Sequence, residues 1–137
     1  MVTFGEANRL FWKRYVDFEG RSTPAEFWWP TLANTLIVIA LFVLLIAGID
    51  SITGEMGPIG VIGTFGLIAF FLAIFIPIIS LHVRRLHDFN ASGWWYLVVL
   101  VVGWPASVVI GCIPGTVGRN RFGGDGTGEE TIPEVFS

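Results

Sequence analysis

The chain has 137 residues, of which 53% are hydrophobic and only 14% are charged, and its mean hydropathy is +0.71. That balance excludes an ordinary water-soluble domain, in which about 25% of the residues are charged. The net charge of −3, with eight Lys and Arg spread along the chain, excludes a concentrated basic face. We therefore expect no nucleic acid as a partner.

Three long stretches carry no formal charge, at residues 27–49, 56–83 and 89–118. A helix needs about 20 apolar residues to cross a hydrocarbon core of about 30 Å, so each stretch can hold one spanning helix. The sequence therefore predicts an all-α membrane protein with three transmembrane helices. The predicted parts are an amphipathic interfacial segment at 1–22, a transmembrane domain at 23–113 with spans at about 27–49, 61–81 and 94–113, and a Gly/Pro-rich acidic tail at 114–137.

The first predicted element is an amphipathic helix between Phe4 and Phe18. Its apolar residues recur at spacings of three and four, and charged residues form a separate stripe. The segment is too charged to span, so we expect it to lie flat on the membrane surface, with Trp12 as an anchor. The alternative is a helix on the aqueous side that packs against its own protein.

The first span is predicted to begin at Pro24, because Thr23 to Glu26 has the form of a capping box. In this motif the Thr23 hydroxyl and the Glu26 carboxylate bind each other's backbone N–H groups. Pro30 lies inside the same helix near the water interface, where we expect a mild kink.

The second span follows an acidic turn at residues 50–58, and its first part contains Gly60, Gly63 and Gly66. Glycines at this spacing allow another helix to approach closely, although glycine is common in membrane helices in any case. A polar segment at residues 84–93 is predicted to be the loop that connects the second and third spans.

The third apolar stretch contains Gly103-Trp104-Pro105 near its middle. Two interpretations compete, a single kinked span at about 94–113 or a re-entrant hairpin of two short halves. Each half holds about ten residues, or about 15 Å of helix, which is too short to cross the bilayer alone. After Gly124 we expect a mostly disordered tail.

The basic residues predict the orientation, since Lys and Arg concentrate on the cytoplasmic side. Four of them precede the first span, none lies in the first turn, and Arg84 and Arg85 follow the second span. The amino end and the segment after the second span should therefore be cytoplasmic. Three spans would place Arg119 and Arg121 outside, against the rule, whereas a re-entrant hairpin would place all eight basic residues inside.

Three motifs are FEGRSTPAEFWW at residues 18–29, RRLHDFNASGWW at 84–95 and GRNRFG at 118–123. Together they resemble the bacterial inner-membrane family catalogued as domain of unknown function 805. The family often has a basic residue where this chain has Thr23-Pro24, so an anion-binding role of that charge does not carry over. The resemblance implies a small multi-pass inner-membrane protein and supplies no biochemical activity.

An anion site is predicted where the first and third helices begin, because helix amino ends carry partial positive charge. Arg21, Arg84 and Arg85 lie beside these ends in the sequence and are the candidate anion-binding or lipid-binding residues. Phospholipid headgroups are the nearest abundant anions. The alternative role for these arginines is to anchor the chain at the interface.

Glu26, His87 and Asp88 form a predicted structural polar cluster. On a continuing helix Asp88 can pair with Arg84 or Arg85, and Glu26 can cap its helix or meet one of these arginines. His82 and His87 are five residues apart, a spacing that does not place both on one helical face. We therefore expect no metal site and no cofactor.

The function favoured by these observations is a non-enzymatic interaction or anionic-lipid-associated role. A small oligomeric transporter or channel subunit is one alternative, although no carboxylate lies mid-membrane as a proton relay requires. A membrane-interface enzyme that uses His87 and Asp88 is another. The expected partners are membrane lipids, including an anionic headgroup, and a second copy of the chain or another membrane protein.

Overall fold

The computed structural model describes residues 2–123, and this part of the chain is helical, without β-strands. The tail expected to be disordered after Gly124 lies outside the described residues. The elements are α1 (Phe4–Lys13), α2 (Pro24–Ala47), α3 (Pro58–Asp88), a 3₁₀ turn (Gly93–Trp95), α4 (Tyr96–Val102) and α5 (Trp104–Cys112).

Helix α1 begins with a capping box that the sequence interpretation missed, in which Thr3 and Glu6 bind each other's backbone N–H groups. The helix ends at Lys13 and not at Phe18 as predicted. The carboxylate of Asp17 accepts hydrogen bonds from the Arg14 side chain and the Glu19 backbone. These local bonds replace the helical ones, because Asp offers the backbone an alternative partner.

Helices α2 and α3 are both long and apolar enough to cross a membrane. Only 6% and 17% of the residues in their most apolar stretches are buried, so these helices are not the core of a soluble protein. Helix α2 begins at Pro24 as predicted, and the capping box is confirmed by hydrogen bonds of 3.3 and 3.4 Å between Thr23 and Glu26.

Helix α3 continues to Asp88, so the prediction that residues 84–93 form a loop is wrong for the first part of that segment. The polar side chains there have partners within the protein, which lets the helix continue through them. It ends where Asn90 adopts a positive φ of 63°, and the Ala91 N–H then binds the Leu86 carbonyl. This is a common way to close a helix at its carboxyl end.

Residues 31–75 form one compact unit, made of the later part of α2, the turn and the first part of α3. The prediction that glycines permit close helix packing is confirmed here. A Cβ atom at Gly63 would lie 2.8 Å from the Leu45 Cα, and one at Gly48 would clash with the backbone of Gly60. The two backbones therefore meet where side chains are absent.

Residues 1–30 and 76–123 belong to the second unit, in which α4 and α5 form a hairpin. The chain breaks at Gly103, whose φ of 83° and ψ of −150° are accessible almost exclusively to glycine. The chain enters the hairpin at Gly93, which lies beside His87. It leaves the hairpin near Thr116, whose N–H donates to the Asp88 backbone carbonyl. Both ends of the third apolar stretch thus return to the carboxyl end of α3.

The hairpin is held against the start of α2 as well as against α3. The indole N–H of Trp28 donates to the Gly111 carbonyl at 3.1 Å, and a side chain at Gly111 would collide with the Phe27 and Trp28 rings. Leu86, Val99 and Ile110 form a small apolar core between the hairpin and α3. The core positions the polar residues that follow.

Candidate functional site

The three arginines singled out from the sequence are all buried, with 7%, 2% and 0% exposure for Arg21, Arg84 and Arg85. We call these residues together with Asp88 the arginine cluster. They lie where three segments meet: the chain between α1 and α2, the carboxyl end of α3, and the chain after α5. Buried charges are costly unless they are paired and hydrogen-bonded, so their partners define what this site does.

Arg21 connects the end of α3 with the chain after α5. Its Nε donates to the Asp88 carboxylate and its Nη2 to the Asp88 carbonyl, each at 3.0 Å. The carbonyls of Thr116, Gly118 and Gly123 accept the remaining bonds, at 2.6, 2.6 and 3.3 Å. A guanidinium has five N–H donors, and protein oxygens occupy all of them here.

Arg84 fastens the chain between α1 and α2. Its Nη1 donates to the carbonyls of Asp17 at 2.7 Å and Arg14 at 3.2 Å. The hydroxyls of Ser22 and Ser80 accept two further bonds, at 3.0 and 3.1 Å. All four acceptors are neutral oxygens, so the charge of Arg84 is stabilised by dipoles and not by a contacting carboxylate.

Arg85 reaches the chain just after α5. Its Nη1 donates to the Asp88 carboxylate and to the Ser22 carbonyl, and its Nη2 donates to the Ile113 carbonyl. The guanidinium carbon lies 5.8 Å from the centre of the Phe89 ring. Its Nε is buried and has no hydrogen-bond partner among the described residues.

Asp88 lies between two arginines, with 3% of its side chain exposed. It pairs with Arg85, one of the two partners that the sequence allowed, and also with Arg21, which is 67 residues away. A Cβ atom at Gly115 would lie 2.7 Å from the Asp88 carboxyl carbon, so only glycine fits there. The sequence interpretation missed Gly115 and Thr116.

Asn120 is a further site residue that the sequence interpretation missed. Its side-chain nitrogen donates to the His87 carbonyl at 2.9 Å and to the Thr116 hydroxyl at 2.7 Å. Asn120 lies in the GRNRFG motif, and its place in that motif was the feature of the sequence that could have indicated a role at the site.

Glu26 and His87 were expected to belong to a structural polar cluster. Glu26 caps helix α2, as described above. The Nδ1 of His87 lies 3.0 Å from the Gly20 carbonyl and therefore donates to it, while the ring stacks on Phe122 with centroids 3.8 Å apart. The His87 imidazole is thus oriented by a backbone carbonyl, and the Asp88 carboxylate is held by arginines.

His82 has a separate set of partners. Its Nδ1 lies 2.8 Å from the Ile78 carbonyl, and its Nε2 lies 3.0 Å from the Ser107 hydroxyl. Because a carbonyl only accepts, Nδ1 carries the proton and Nε2 accepts from Ser107. Over residues 2–123 no group of three His, Cys, Asp or Glu side chains has the spacing to hold a metal ion.

Helix α1 presents two different faces. Ala7 and Phe11 are buried within the protein. This face of α1 therefore packs against the rest of the chain, as the alternative to a purely interfacial helix predicted. The opposite face exposes Arg9, Trp12 and Lys13. The exposed side also carries Glu6, so it holds two basic charges, one acidic charge and an aromatic ring. Basic and aromatic side chains together are typical of contact with lipid headgroups.

Asp17 supplies negative charge beside Arg14 and Arg84. Partial burial raises the pKa of its carboxyl, but hydrogen bonds from the Arg14 side chain and the Glu19 N–H outweigh this and lower the pKa below its usual value. Asp17 is therefore ionised at neutral pH and balances part of the positive charge of Arg14 and Arg84.

Residues 15–124 match the model of a family described as a protein of unknown function, DUF805. The chain belongs to the DUF805 family. The matched residues include the whole arginine cluster, whereas helix α1 precedes them. The resemblance inferred from the three motifs is thereby confirmed.

Two Escherichia coli K12 proteins are similar to this DUF805 chain over most of their length. Inner membrane protein YhaI is 36% identical over 116 residues, which cover 82% of this chain and 88% of YhaI. Inner membrane protein YhaH is 36% identical over 118 residues, covering 82% of this chain and 89% of YhaH. No solved structure matches the chain significantly.

Proposed function

We propose that this DUF805 protein is a non-enzymatic inner-membrane protein that associates with anionic phospholipid at the cytoplasmic face. One observation carries the proposal: all eight Lys and Arg belong to the unit formed by residues 1–30 and 76–123. The other unit, residues 31–75, contains the acidic side chains of Asp50 and Glu55 and no basic ones. Basic residues concentrate on the cytoplasmic side, where anionic lipids attract them.

The proposed topology has α2 and α3 as spanning helices and the α4–α5 hairpin as a re-entrant element. The amino end and the chain after α5 are then both cytoplasmic, and the turn at residues 48–57 is periplasmic. The arrangement is supported by the return of both hairpin ends to the carboxyl end of α3. The proposed topology retains the three parts expected from the sequence, which are an interfacial segment at 1–22, a membrane domain at 23–113 and a tail at 114–137.

Labelling of single cysteines tests this topology. Cys112 is exposed and is the only cysteine, so Cys112→Ala provides the background. Ile52 and Val117 are almost fully exposed and suit Ile52→Cys and Val117→Cys. We expect a membrane-impermeant maleimide to modify Ile52→Cys in intact cells and Val117→Cys only after permeabilisation. Modification of Val117→Cys in intact cells would show a third span and contradict the proposal.

The exposed basic face of α1 is the proposed contact with anionic headgroups. A Lys or Arg near such a surface contributes about 1 kcal/mol, so Arg9→Gln with Lys13→Gln should lower phosphatidylglycerol enrichment about fivefold or more. The readout is the ratio of phosphatidylglycerol to phosphatidylethanolamine that copurifies with the protein. The charge-conserving variant Arg9→Lys with Lys13→Arg is the matched control. Equal enrichment in all three proteins would rule out this contact.

The arginine cluster is the second proposed location for the anion, and the unpartnered Nε of buried Arg85 is the observation that favours it. An anion bound there has to replace protein oxygens that now accept bonds from Arg21, Arg84 and Arg85. The variant Arg85→Lys keeps the charge and removes Nε, so it should reduce phosphatidylglycerol copurification if this location is used. Unchanged copurification at an unchanged melting temperature would leave the α1 face as the contact.

A further inference from the structure

An apolar groove runs between the two arms of the α4–α5 hairpin and the end of α3. Its volume is about 410 Å³, and its accessible lining is entirely apolar. Leu86 lines it from α3 and Phe89 from the chain directly after α3. Val98 and Val102 line it from α4, and Ala106 and Val109 from α5. Small-molecule pockets typically have volumes of about 300–1,000 Å³. The groove is therefore large enough for a substantial apolar ligand.

The depth of the groove matches a single leaflet of a bilayer. Its walls are α4, with 7 residues, and α5, with 9 residues. At 1.5 Å per residue these arms are about 10 and 14 Å long. Half of a hydrocarbon core of about 30 Å is about 15 Å. A lipid acyl chain occupies that depth, whereas a spanning helix of another protein would extend well beyond the groove.

One end of the groove is basic. The Nη2 of Arg121 donates to the Asn90 carbonyl at 3.1 Å, and Asn90 lies between Phe89 and Ala91, which both line the groove. The Arg121 side chain is exposed, and its guanidinium carbon lies 4.7 Å from the centre of the Phe122 ring. At the same end the Arg85 guanidinium contacts the lining residue Phe89, and its Nε is buried without a partner among the described residues. An apolar groove that ends beside guanidinium groups complements an anionic amphiphile.

We infer that the hairpin groove binds one acyl chain of an anionic phospholipid, with the phosphate held by Arg121. The inference rests on the proposed function, because the hairpin has to enter the cytoplasmic leaflet for an acyl chain to reach it. It adds a specific site to that function. The lipid in the groove is a tightly held ligand, distinct from the lipids that contact the exposed face of α1.

Native mass spectrometry of the full chain, purified in mild detergent from native membranes, tests the site. The wild type should retain a phospholipid, and Val98→Trp should lower the lipid-bound fraction about tenfold, since an oversized side chain fills the groove. Val101→Trp is the matched control, because Val101 lies on the same arm, is exposed and does not line the groove. Retention of the lipid by Val98→Trp would overturn the inference.

The role of Arg121 is tested with Arg121→Gln and the charge-conserving Arg121→Lys. Loss of the charge should lower the preference for phosphatidylglycerol over phosphatidylethanolamine about fivefold, and Arg121→Lys should keep most of it. An equal preference in Arg121→Gln and the wild type would show that Arg121 does not hold the phosphate.

Photocrosslinking of the unmodified protein covers the case in which Val98→Trp does not fold. Phosphatidylglycerol with a diazirine in one acyl chain, incorporated into vesicles with the protein, should label residues 98–109 in preference to α2. Labelling of α2 alone would overturn the inference. So would efficient dimer crosslinking through Val98→Cys in membranes, because a second copy would then occupy the groove.

The two proposals fail in different ways. If α1 is not a lipid contact, Arg9→Gln with Lys13→Gln leaves phosphatidylglycerol enrichment unchanged, while the groove lipid is still lost in Val98→Trp. If the groove is not a site, Val98→Trp behaves like Val101→Trp, while the α1 variant still lowers enrichment.

Discussion

At the scale of single residues, the buried arginines differ from those that usually mark a membrane interface. An interfacial Arg extends its charge to water, whereas Arg84 and Arg85 are almost completely buried. Arg85 forms a salt bridge with Asp88, which also pairs with Arg21, whereas backbone carbonyls and serine hydroxyls stabilise Arg84. Removal of one partner from such a group leaves an uncompensated buried charge, which costs more than the pair itself contributes.

Asp88→Asn is therefore expected to destabilise the protein by about 3–5 kcal/mol. The substitution preserves the shape of the side chain and leaves Arg21 and Arg85 without their shared carboxylate. Thermal unfolding in detergent measures the effect. Asp17→Asn is the control, because Asp17 forms a partly exposed ion pair with Arg14, and such pairs contribute about 0–1 kcal/mol. Equal stability of the two variants would contradict the structural role of Asp88.

At the scale of elements, the helix crossing within residues 31–75 depends on backbone contact at particular glycines. A Cβ atom at Gly63 would meet the backbone of Leu45, which cannot move without displacing the helix. One at Gly66 would lie 2.9 Å from the end of the Leu41 side chain, which can change rotamer. The two glycines share a helix and differ only in what they contact.

Gly63→Ala should destabilise the protein by about 1–3 kcal/mol, because overpacking forces the helices apart. Gly66→Ala should lie within about 1 kcal/mol of the wild type, since alanine favours helix more than glycine does and offsets the small clash. Unfolding titrations with sodium dodecyl sulfate in mixed micelles compare the two variants directly. The reverse order of stability would show that the close approach at Gly63 does not occur in the membrane.

At the scale of the whole molecule, Arg21 joins segments that are far apart in the sequence. It binds Asp88 at the end of α3 and the carbonyls of Thr116 and Gly118 after α5. A lysine retains the charge but has only three donors on a single nitrogen, so it cannot reach acceptors in several directions. The attachment of residues 116–123 to the rest of the molecule should therefore depend on the guanidinium group itself.

Arg21→Lys is expected to speed proteolytic cleavage within residues 116–123 about tenfold or more, because several charge-assisted hydrogen bonds are lost. Limited proteolysis of the purified protein, with fragments identified by mass, gives the rate. Arg9→Lys is the control, since Arg9 lies on the exposed face of α1. Similar cleavage rates in the two variants would mean that Arg21 does not hold this segment.

Features that depend on neighbouring residues could be predicted from the sequence. The capping box of Thr23 and Glu26 involves positions three apart, and so does the pairing of Asp88 with Arg85. The apolar helices α2 and α3 follow from composition, since a single apolar segment can satisfy all of its own backbone polar groups in lipid only as a helix. Glycine spacing also indicated the helix crossing.

Other features depended on partners far along the chain. The sequence alone predicted a loop at residues 84–93, because a run of charged residues after an apolar span usually faces water. The helix continues instead, since the partners of Arg84 and Arg85 come from segments that precede α2 and follow α5. The pairing of Arg21 with Asp88, 67 residues away, had no local signal for the same reason.

The choice between one kinked helix and a hairpin for the third apolar stretch shows the difference most clearly. Gly103 marked the break in the sequence, but a break is compatible with either arrangement. In the structure α4 and α5 form a hairpin, because Gly93 and Thr116 both lie at the carboxyl end of α3, and the entry of this hairpin into the membrane belongs to the proposed topology. Local sequence sets which backbone conformations are accessible, whereas the direction of the chain after the break depends on which distant groups satisfy its hydrogen bonds.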